Sequence, residues 1–174
     1  MKKLIFFTLF FFLVAVSFAA GQVHAQERKA QLRENMCTRV RERIADRREQ
    51  FQEHRENRAN IYKGVISRLN NLAAKLEDRD CDASKVTADT AQFETLVGEF
   101  VTSFNLFLDK LHAVGVPVCQ EQPGDWKTAM AQARTQLQAA KTKHRAVRDF
   151  YKNTLKPDVK AAGAACKAEV DSDD

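Results

Sequence analysis

The sequence predicts an all-α fold: an up-down-up three-helix antiparallel bundle with a long, coiled-coil-like first helix, stapled by two disulfides. Only 6 glycines and 3 prolines occur in 174 residues, and they cluster near the predicted joints. The long stretches between them are rich in helix-favouring Ala, Arg, Lys, Gln and Glu. Within these stretches apolar residues recur at steps of three, four and seven, the spacing of one helical face. Four cysteines are available for the staples.

The first 25 residues have the order of a secretory signal peptide. Two lysines follow the first methionine, no charged residue occurs at positions 4–20, and Val23-His24-Ala25 offers a small-residue cleavage site. We expect cleavage after Ala25 and a secreted or periplasmic protein of bacterial type. An uncleaved anchor is the alternative, because 17 uncharged residues reach the short end of the roughly 17–25 that span a bilayer. The predicted divisions are a signal peptide (1–25), a helical bundle domain (26–168) and a disordered acidic tail (169–174).

The first predicted helix runs from about Glu27 to Arg79 and has a coiled-coil-like pattern. A stripe of carboxylates lies opposite its apolar face, and arginines flank the seam. A bend or break is expected at Gly64, because glycine weakens a helix interior. The apolar face comprises Cys37, Val40, Ile44, Phe51, Ile61, Val65, Leu69, Leu72 and Leu76.

Two further helices are predicted. Asp82 or Ser84 is the expected N-cap of the second, which runs to about Val114 and carries the most apolar stripe, the expected centre of the core. The third starts near Asp125 and keeps a coiled-coil register. Pro157 should kink or end it, because proline lacks a backbone donor, and a short helical run should follow. The stripe of the second helix comprises Val86, Phe93, Val97, Phe100, Phe104, Phe107, Leu108 and Leu111, and that of the third comprises Trp126, Met130, Ala133, Leu137, Ala140, His144, Val147, Tyr151 and Thr154.

The four cysteines are predicted to form two disulfides, since their number is even and the expected compartment is oxidising. Three pairings are possible. In an up-down-up bundle Cys81 and Cys166 lie at one end, and Cys37 and Cys119 lie toward the other. We therefore favour Cys37–Cys119 and Cys81–Cys166. The sequence has no C-x-x-C or C-x-x-C-H motif, which argues against a thioredoxin-type redox site and covalent c-type haem.

No residue pattern predicts catalysis, a cofactor or a metal site, and we expect a protein that is not an enzyme and uses none of these. Beyond the signal segment the histidines are His54, His112 and His144, on three different predicted helices. His54 and His144 point toward the seam, but counting along the helices separates them by about ten residues, on the order of 15 Å. There is no H-E-x-x-H sequence, di-iron pattern or nucleophile elbow.

The sign of the charge alternates along the chain, which favours neutralisation within the bundle. Residues 27–79 carry 14 Lys/Arg against 9 Asp/Glu, residues 80–120 carry 2 against 6, and residues 121–165 carry 9 against 4. Acidic residues interleave the arginine-rich stretch, so we expect no nucleic-acid partner. Membrane contact is expected only through the signal peptide or weak electrostatic attraction.

The leading expectation is an exported helical protein that acts by protein–protein contact, in a structural, adaptor or chaperone-like role in the cell envelope. A protein partner or self-association is expected, because the apolar face of the long first helix is longer than the two shorter helices can cover. The polar side chains at the predicted helix–helix contact positions either extend along the bundle with their charged groups in water or contact a second chain. Two alternatives stay open: basic helices 1 and 3 bind anionic envelope polymer or lipid headgroups, or the core carries a small ligand among Trp126, Met130 and the phenylalanine stripe of the second helix. The possible partner face comprises Val40, Ile44, Arg47, Phe51, His54 and Arg58.

In signal peptide, size and basic, Arg/Gln-rich helical surface, the chain resembles the small helical stress proteins of the Gram-negative periplasm, the Spy/CpxP group. The resemblance is one of layout. The repeated L-T-x-x-Q motif of that group is absent here, and four cysteines are not its pattern. The resemblance implies a chaperone-like role and assigns no residue.

Overall fold

The computed structural model describes the backbone of residues 2–115 and 123–172, and the side chains of residues 27–115 and 125–169. These parts of the chain contain helices and no strand, which confirms the all-α prediction. The elements in chain order are α1 (Lys2–Glu77), α2 (Ser84–Val114), α3 (Pro123–Phe150), a π-helical turn (Tyr151–Leu155) and α4 (Lys156–Ser172). Helix α4 includes residues 169–172 of the predicted disordered tail (169–174), and the last two residues of that tail lie outside the described residues.

Helices α1 and α2 pack through aromatic side chains. The ring of Phe51 contacts Phe107 at a centroid distance of 5.0 Å, and the ring of Tyr62 contacts Phe93 at 5.8 Å and Phe100 at 6.2 Å. Residues later in α1 therefore contact residues earlier in α2.

Helix α3 packs on α2 in the same way, with residues later in α3 contacting residues earlier in α2. His144 lies 5.3 Å from Phe100 between ring centroids, and Phe150 lies 6.5 Å from Phe93. These contacts support a helical bundle with α2 packed against both α1 and α3, whereas the up-down-up topology stays a prediction.

The core follows the predicted apolar stripes. Phe93, Phe100 and Val147 are at most 1% exposed, and Leu69 of α1 and Leu155 of the π-helical turn pack with them. Burial of this apolar surface is the main favourable contribution to folding. In the predicted α3 register Ala133, Ala140 and Val147 are buried, whereas Trp126 and Tyr151 are 37% and 41% exposed.

The expected break at Gly64 is wrong, because α1 runs without interruption from Lys2 to Glu77. Packing of the neighbouring residues Tyr62 and Val65 against α2 holds this segment helical despite the weak propensity of glycine.

The turn that follows α1 leads into α2 at Ser84, but the predicted N-cap, Asp82 or Ser84, is wrong: the N-cap is Ala83, which makes no side-chain cap hydrogen bond. Asp80 has a φ of 56°, in the left-handed region that aspartate tolerates better than most residues. The backbone N–H of Ser84 then donates to a carboxylate oxygen of Asp82 at 2.8 Å. Hydrogen bonds from Ser84 hold the pKa of the Asp82 carboxyl below its usual value.

The chain passes Pro157 through a widened helical turn. Helix α4 begins at Lys156, directly after the π-helical turn Tyr151–Leu155, so Pro157 lies in the first turn of a new helix. In a regular helix the proline ring would clash with the carbonyl of Asn153, which here belongs to the widened turn. The predicted interruption at Pro157 therefore occurs as a change of helix type.

The disulfide Cys81–Cys166 joins the end of the α1–α2 turn to α4, with a Cα–Cα distance of 5.3 Å and a sequence separation of 85. It confirms one of the two predicted pairs. Cys37 is itself disulfide-bonded. The cysteine predicted to pair with it, Cys119, lies outside the described residues, so that pairing stays a prediction.

An ion-pair network also attaches α4 to α2. The ammonium group of Lys85 lies 2.8 Å from one carboxylate oxygen of Asp89 and 3.0 Å from Asp158 of α4. Asp89 is only 4% exposed, so its charge is paired where burial would otherwise disfavour it. The hydrogen bonds to these two carboxylates raise the pKa of Lys85, and that from Lys85 lowers the pKa of Asp158.

Candidate functional site

Some residues of the predicted partner face on α1 pack in the core, and others line two openings on the surface. Ile44 and Phe51 are half-buried and pack against α2, so they are not free to meet a second chain. Arg47 is exposed and donates from Nη1 to the side-chain oxygen of Gln50 at 3.1 Å. The other three predicted residues, Val40, His54 and Arg58, line openings between α1 and α3.

A cleft of about 240 Å³ lies between α1 and α3, above the phenylalanines of α2. We call it the α1–α3 cleft. Its apolar walls are formed by Phe51, Phe100, Phe104, Leu137 and Ala140. Its polar walls are formed by His54, Arg58, Lys141 and His144.

Arg58 and His144 meet across this cleft, with 2.7 Å between Nη1 of Arg58 and Nε2 of His144. A guanidinium group has only N–H donors, so the imidazole must accept through an unprotonated Nε2. His144 is therefore neutral in this arrangement, with its proton on Nδ1. Burial lowers the pKa of His144, and the positive charges of Arg58 and Arg148 lower it further.

His54 and His144 both border this cleft, but the residues of α1 that lie beside His144 are Arg58 and Tyr62, four and eight positions after His54. The predicted separation of the two histidines along the bundle stays a prediction.

Tyr62 lies beside Arg58 and His144 on the inner side of the cleft. Burial raises the pKa of the Tyr62 hydroxyl, and the positive charge of Arg58 partly offsets that rise. The ring of Tyr62 lies 6.3 Å from that of His144 between centroids. Arg58 is thus held by its hydrogen bond to His144 of α3.

The cleft contains cations without matching carboxylates. No Asp or Glu is among the described residues that line it, and no ion pair joins Arg58 to a carboxylate within the described part of the chain. Among the basic residues outside the cleft, Lys143 pairs with Glu99 at 2.8 Å and Arg55 pairs with Glu56 at 3.0 Å. At the cleft itself, the charges of Arg58 and Lys141 face no carboxylate of the described lining.

A second opening is apolar and lies further toward the N-terminus of α1. We call it the N-terminal hollow; its volume is about 570 Å³. Leu32 is 63% exposed and Met36 is 67% exposed, and Val40 and Trp126 line the same hollow. A cluster of this kind is unusual for a surface that remains in water.

The side chains named for the small-ligand alternative are not gathered in one core cavity. Trp126 lines the N-terminal hollow, whereas Phe93, Phe100 and Phe107 are buried and contact other aromatic rings. Within the described residues, no group of three metal-ligating side chains is found. No helix among those residues is both long and apolar enough to cross a membrane.

The fold and its openings define a class of protein: a disulfide-bonded helical bundle with a basic cleft and an exposed apolar hollow. No protein-family model matches the sequence, and no curated protein or solved structure is significantly similar to it.

Residues on α3 complete the cleft, and three of them, Leu137, Ala140 and His144, were predicted only as part of the apolar stripe of that helix. Lys141 and Tyr62 were not singled out at all. A signal is present in the spacing: Leu137, Lys141 and His144 follow at steps of four and three, which places all three on one face of α3. That face is the counterpart of His54 and Arg58 on α1.

The stability of the protein is expected to fall as the pH drops below about 6.5, the ordinary pKa of histidine. Because the pKa of His144 is lowered in the folded state, the unfolded chain takes up a proton first, and protonation favours unfolding. The loss stops once the pH is below the folded-state pKa. The slope stays under the one-proton limit of about 1.4 kcal/mol per pH unit, because solvent screens a partly exposed ring.

Denaturant unfolding of the wild type and His144→Gln at pH 8 and pH 5.5 measures this effect. The variant should lose less stability between the two pH values than the wild type. Arg134→Gln, an exposed substitution on the same helix, should match the wild type. An unchanged pH dependence in His144→Gln would contradict the assignment.

Proposed function

We propose that the chain is an exported helical protein that acts by protein–protein contact through the N-terminal hollow. One observation carries the proposal: Leu32 and Met36 are 63% and 67% exposed. They are four residues apart, hence neighbours on one helix face, and Val40 continues that face. Trp126 borders the hollow from α3. Apolar clusters of this kind mark interaction surfaces.

The occupant that best matches the hollow is an amphipathic helix of a partner protein with acidic residues beside its apolar face. A groove formed along a helix suits the apolar side chains of another helix at steps of three and four residues. Lys29 and Arg33 also line the hollow. Carboxylates on the partner would complement these cations and orient the docked helix.

Export is the second part of the proposal. It comprises a signal peptide (1–25) that is removed near Ala25, release into the periplasm or the exterior, an up-down-up bundle, and the pairing Cys37–Cys119. The disulfide Cys81–Cys166 supports it, because such bonds persist mainly in non-cytoplasmic compartments.

Replacing both Leu32 and Met36 by aspartate is expected to weaken the binding of an acidic amphipathic peptide at least tenfold. The substitutions remove apolar contact area and place negative charges against the carboxylates of the peptide. The probe is a fluorescein-labelled helical peptide built from leucine and glutamate, and binding is followed by fluorescence anisotropy.

The matched control carries Gln31→Asp and Thr38→Asp, which add the same charge at exposed positions turned about 100° or more away from the apolar face. This variant should retain the wild-type affinity, and a peptide of leucine and lysine should bind more weakly. Equal losses in the two variants, or preference for the basic peptide, would refute the proposal. A concentration-dependent dimer in sedimentation, abolished only by the Leu32/Met36 change, would assign the hollow to a second copy instead.

A further inference from the structure

We propose that the α1–α3 cleft binds a small amphiphilic carboxylate, a single carboxyl group attached to a short alkyl or aryl body. The inference does not rest on the proposed function, because the cleft and the N-terminal hollow are separate openings lined by different residues.

The polar side of the cleft is built to receive one anion. Arg58 is held by the hydrogen bond to His144 at 2.7 Å. A guanidinium group has five N–H donors, so donors remain for a carboxylate, which it binds with well-matched geometry. Lys141 adds a second cation at the same opening.

The absence of carboxylates from the described lining makes an anion the favourable guest. Like charges that border a partly enclosed opening create a positive potential, and low-polarity walls strengthen it. Elsewhere on the same helices, cations such as Lys143 already have acidic partners. An external anion would supply the partner that the fold does not provide at Arg58.

The apolar side of the cleft sets the size of the guest. Phe51, Phe104 and Leu137 line it, and Phe100 closes its floor. The volume of about 240 Å³ lies below the roughly 300–1,000 Å³ of pockets for drug-sized ligands. A short hydrocarbon or one aromatic ring therefore suits the cleft, whereas the two chains of a membrane lipid do not.

The decisive experiment is a titration of the ¹⁵N-labelled protein with sodium octanoate, followed by NMR. We expect saturable shifts at the backbone amides around residues 54–58 and 141–144, with a Kd on the order of 10⁻⁴–10⁻³ M for a ligand of this size. Butyrate should bind at least tenfold more weakly, because it lacks four methylene groups. Octylamine, whose charge is opposite, should cause no saturable shift at these positions. Equal binding of octylamine and octanoate would overturn the proposal.

Two substitutions test the cations directly. Arg58→Gln and Lys141→Gln should each weaken octanoate binding, Arg58→Gln by at least tenfold, because it removes the charge-assisted hydrogen bonds. Both positions are exposed, so the fold should be retained, which the thermal melt of each variant checks. The controls Arg43→Gln on α1 and Arg134→Gln on α3 remove the same charge at exposed positions outside the cleft lining. Unchanged binding in Arg58→Gln, or equal weakening in the controls, would refute the assignment.

A vesicle arm distinguishes a soluble carboxylate from an anionic membrane surface. Vesicles of phosphatidylcholine with phosphatidylglycerol are added to the wild type and to Arg58→Gln. Octanoate binding that depends on Arg58, together with vesicle binding that does not, supports the cleft as a site for a soluble ligand. Vesicle binding without any saturable octanoate binding overturns the proposal and favours recognition of headgroups by the basic helix surfaces.

Discussion

Replacing Phe93 by alanine is expected to lower the free energy of unfolding by about 3–5 kcal/mol, the range for a phenylalanine removed from a packed core. Phe93 is 0% exposed, and its ring contacts Tyr62 of α1, Phe150 of α3 and Tyr151 of the π-helical turn. One side chain therefore joins three elements around α2. Because domains of this size are stable by only about 5–15 kcal/mol, the loss would be a large fraction of the total.

Guanidinium chloride unfolding followed by circular dichroism measures this change. Phe93→Leu, which keeps most of the volume, should cost less than about 1.5 kcal/mol. Leu106→Ala is the surface control: Leu106 lies on the same helix but is 50% exposed, and its loss should stay within about 0.5 kcal/mol. Similar costs for Phe93→Ala and Leu106→Ala would mean that α2 does not form the centre of the core.

The prominence of Phe93 was predictable, because the stripe of α2 combines apolar residues at helical steps and therefore points to a buried face. The approximate start of α2 was predictable for a local reason as well, because Asp82 accepts the backbone N–H of Ser84, although the N-cap itself is Ala83 and not either of the predicted residues. Signals of this kind depend on short-range geometry, which the order of residues determines directly.

The α1–α3 cleft was not predictable in the same way. It depends on which residue of α1 lies beside which residue of α3, and no local pattern determines that alignment. His54 and Arg58 stand at predicted seam positions, but the contact of Arg58 with His144 depends on how α1 and α3 are placed relative to each other, since the two residues are 86 positions apart in the sequence. The same dependence explains why Gly64 did not interrupt α1: packing with α2 outweighed the intrinsic preference of one residue.

Removing the disulfide by the double change Cys81→Ala and Cys166→Ala is expected to lower the free energy of unfolding by roughly 2–5 kcal/mol. The bond joins residues separated by 85 positions, so its loss gives the unfolded chain much greater conformational freedom. Both cysteines are also buried, at 7% and 4% exposure, and pack in a cluster with Leu76 and Val86, so the variant loses apolar contacts too.

The position in the chain where stability is lost shows whether the disulfide holds α4 locally or acts only by restricting the unfolded chain. Without the bond, α4 remains attached through the ion pair of Lys85 and Asp158, which contributes little energy, and through the apolar contacts of Val159 and Ala162. Hydrogen exchange should therefore accelerate first in α4, while the amides around Phe93 and Phe100 stay protected until global unfolding. Uniform acceleration along α2 and α4 would instead indicate that the disulfide acts only on the unfolded chain.

The same bond allows a test of export in the native organism or a secreting host. The intact mass of the exported protein, before and after reduction, reports both the N-terminus and the number of disulfides, since each bond removes two hydrogens. We expect a chain that begins at Gln26 and peptides that link Cys81 to Cys166 and Cys37 to Cys119. A retained N-terminus with free thiols would contradict both export and stapling. The stability of α4 would then have to come from Lys85 and the apolar cluster alone, which an unchanged melting temperature in the double alanine variant would reveal independently.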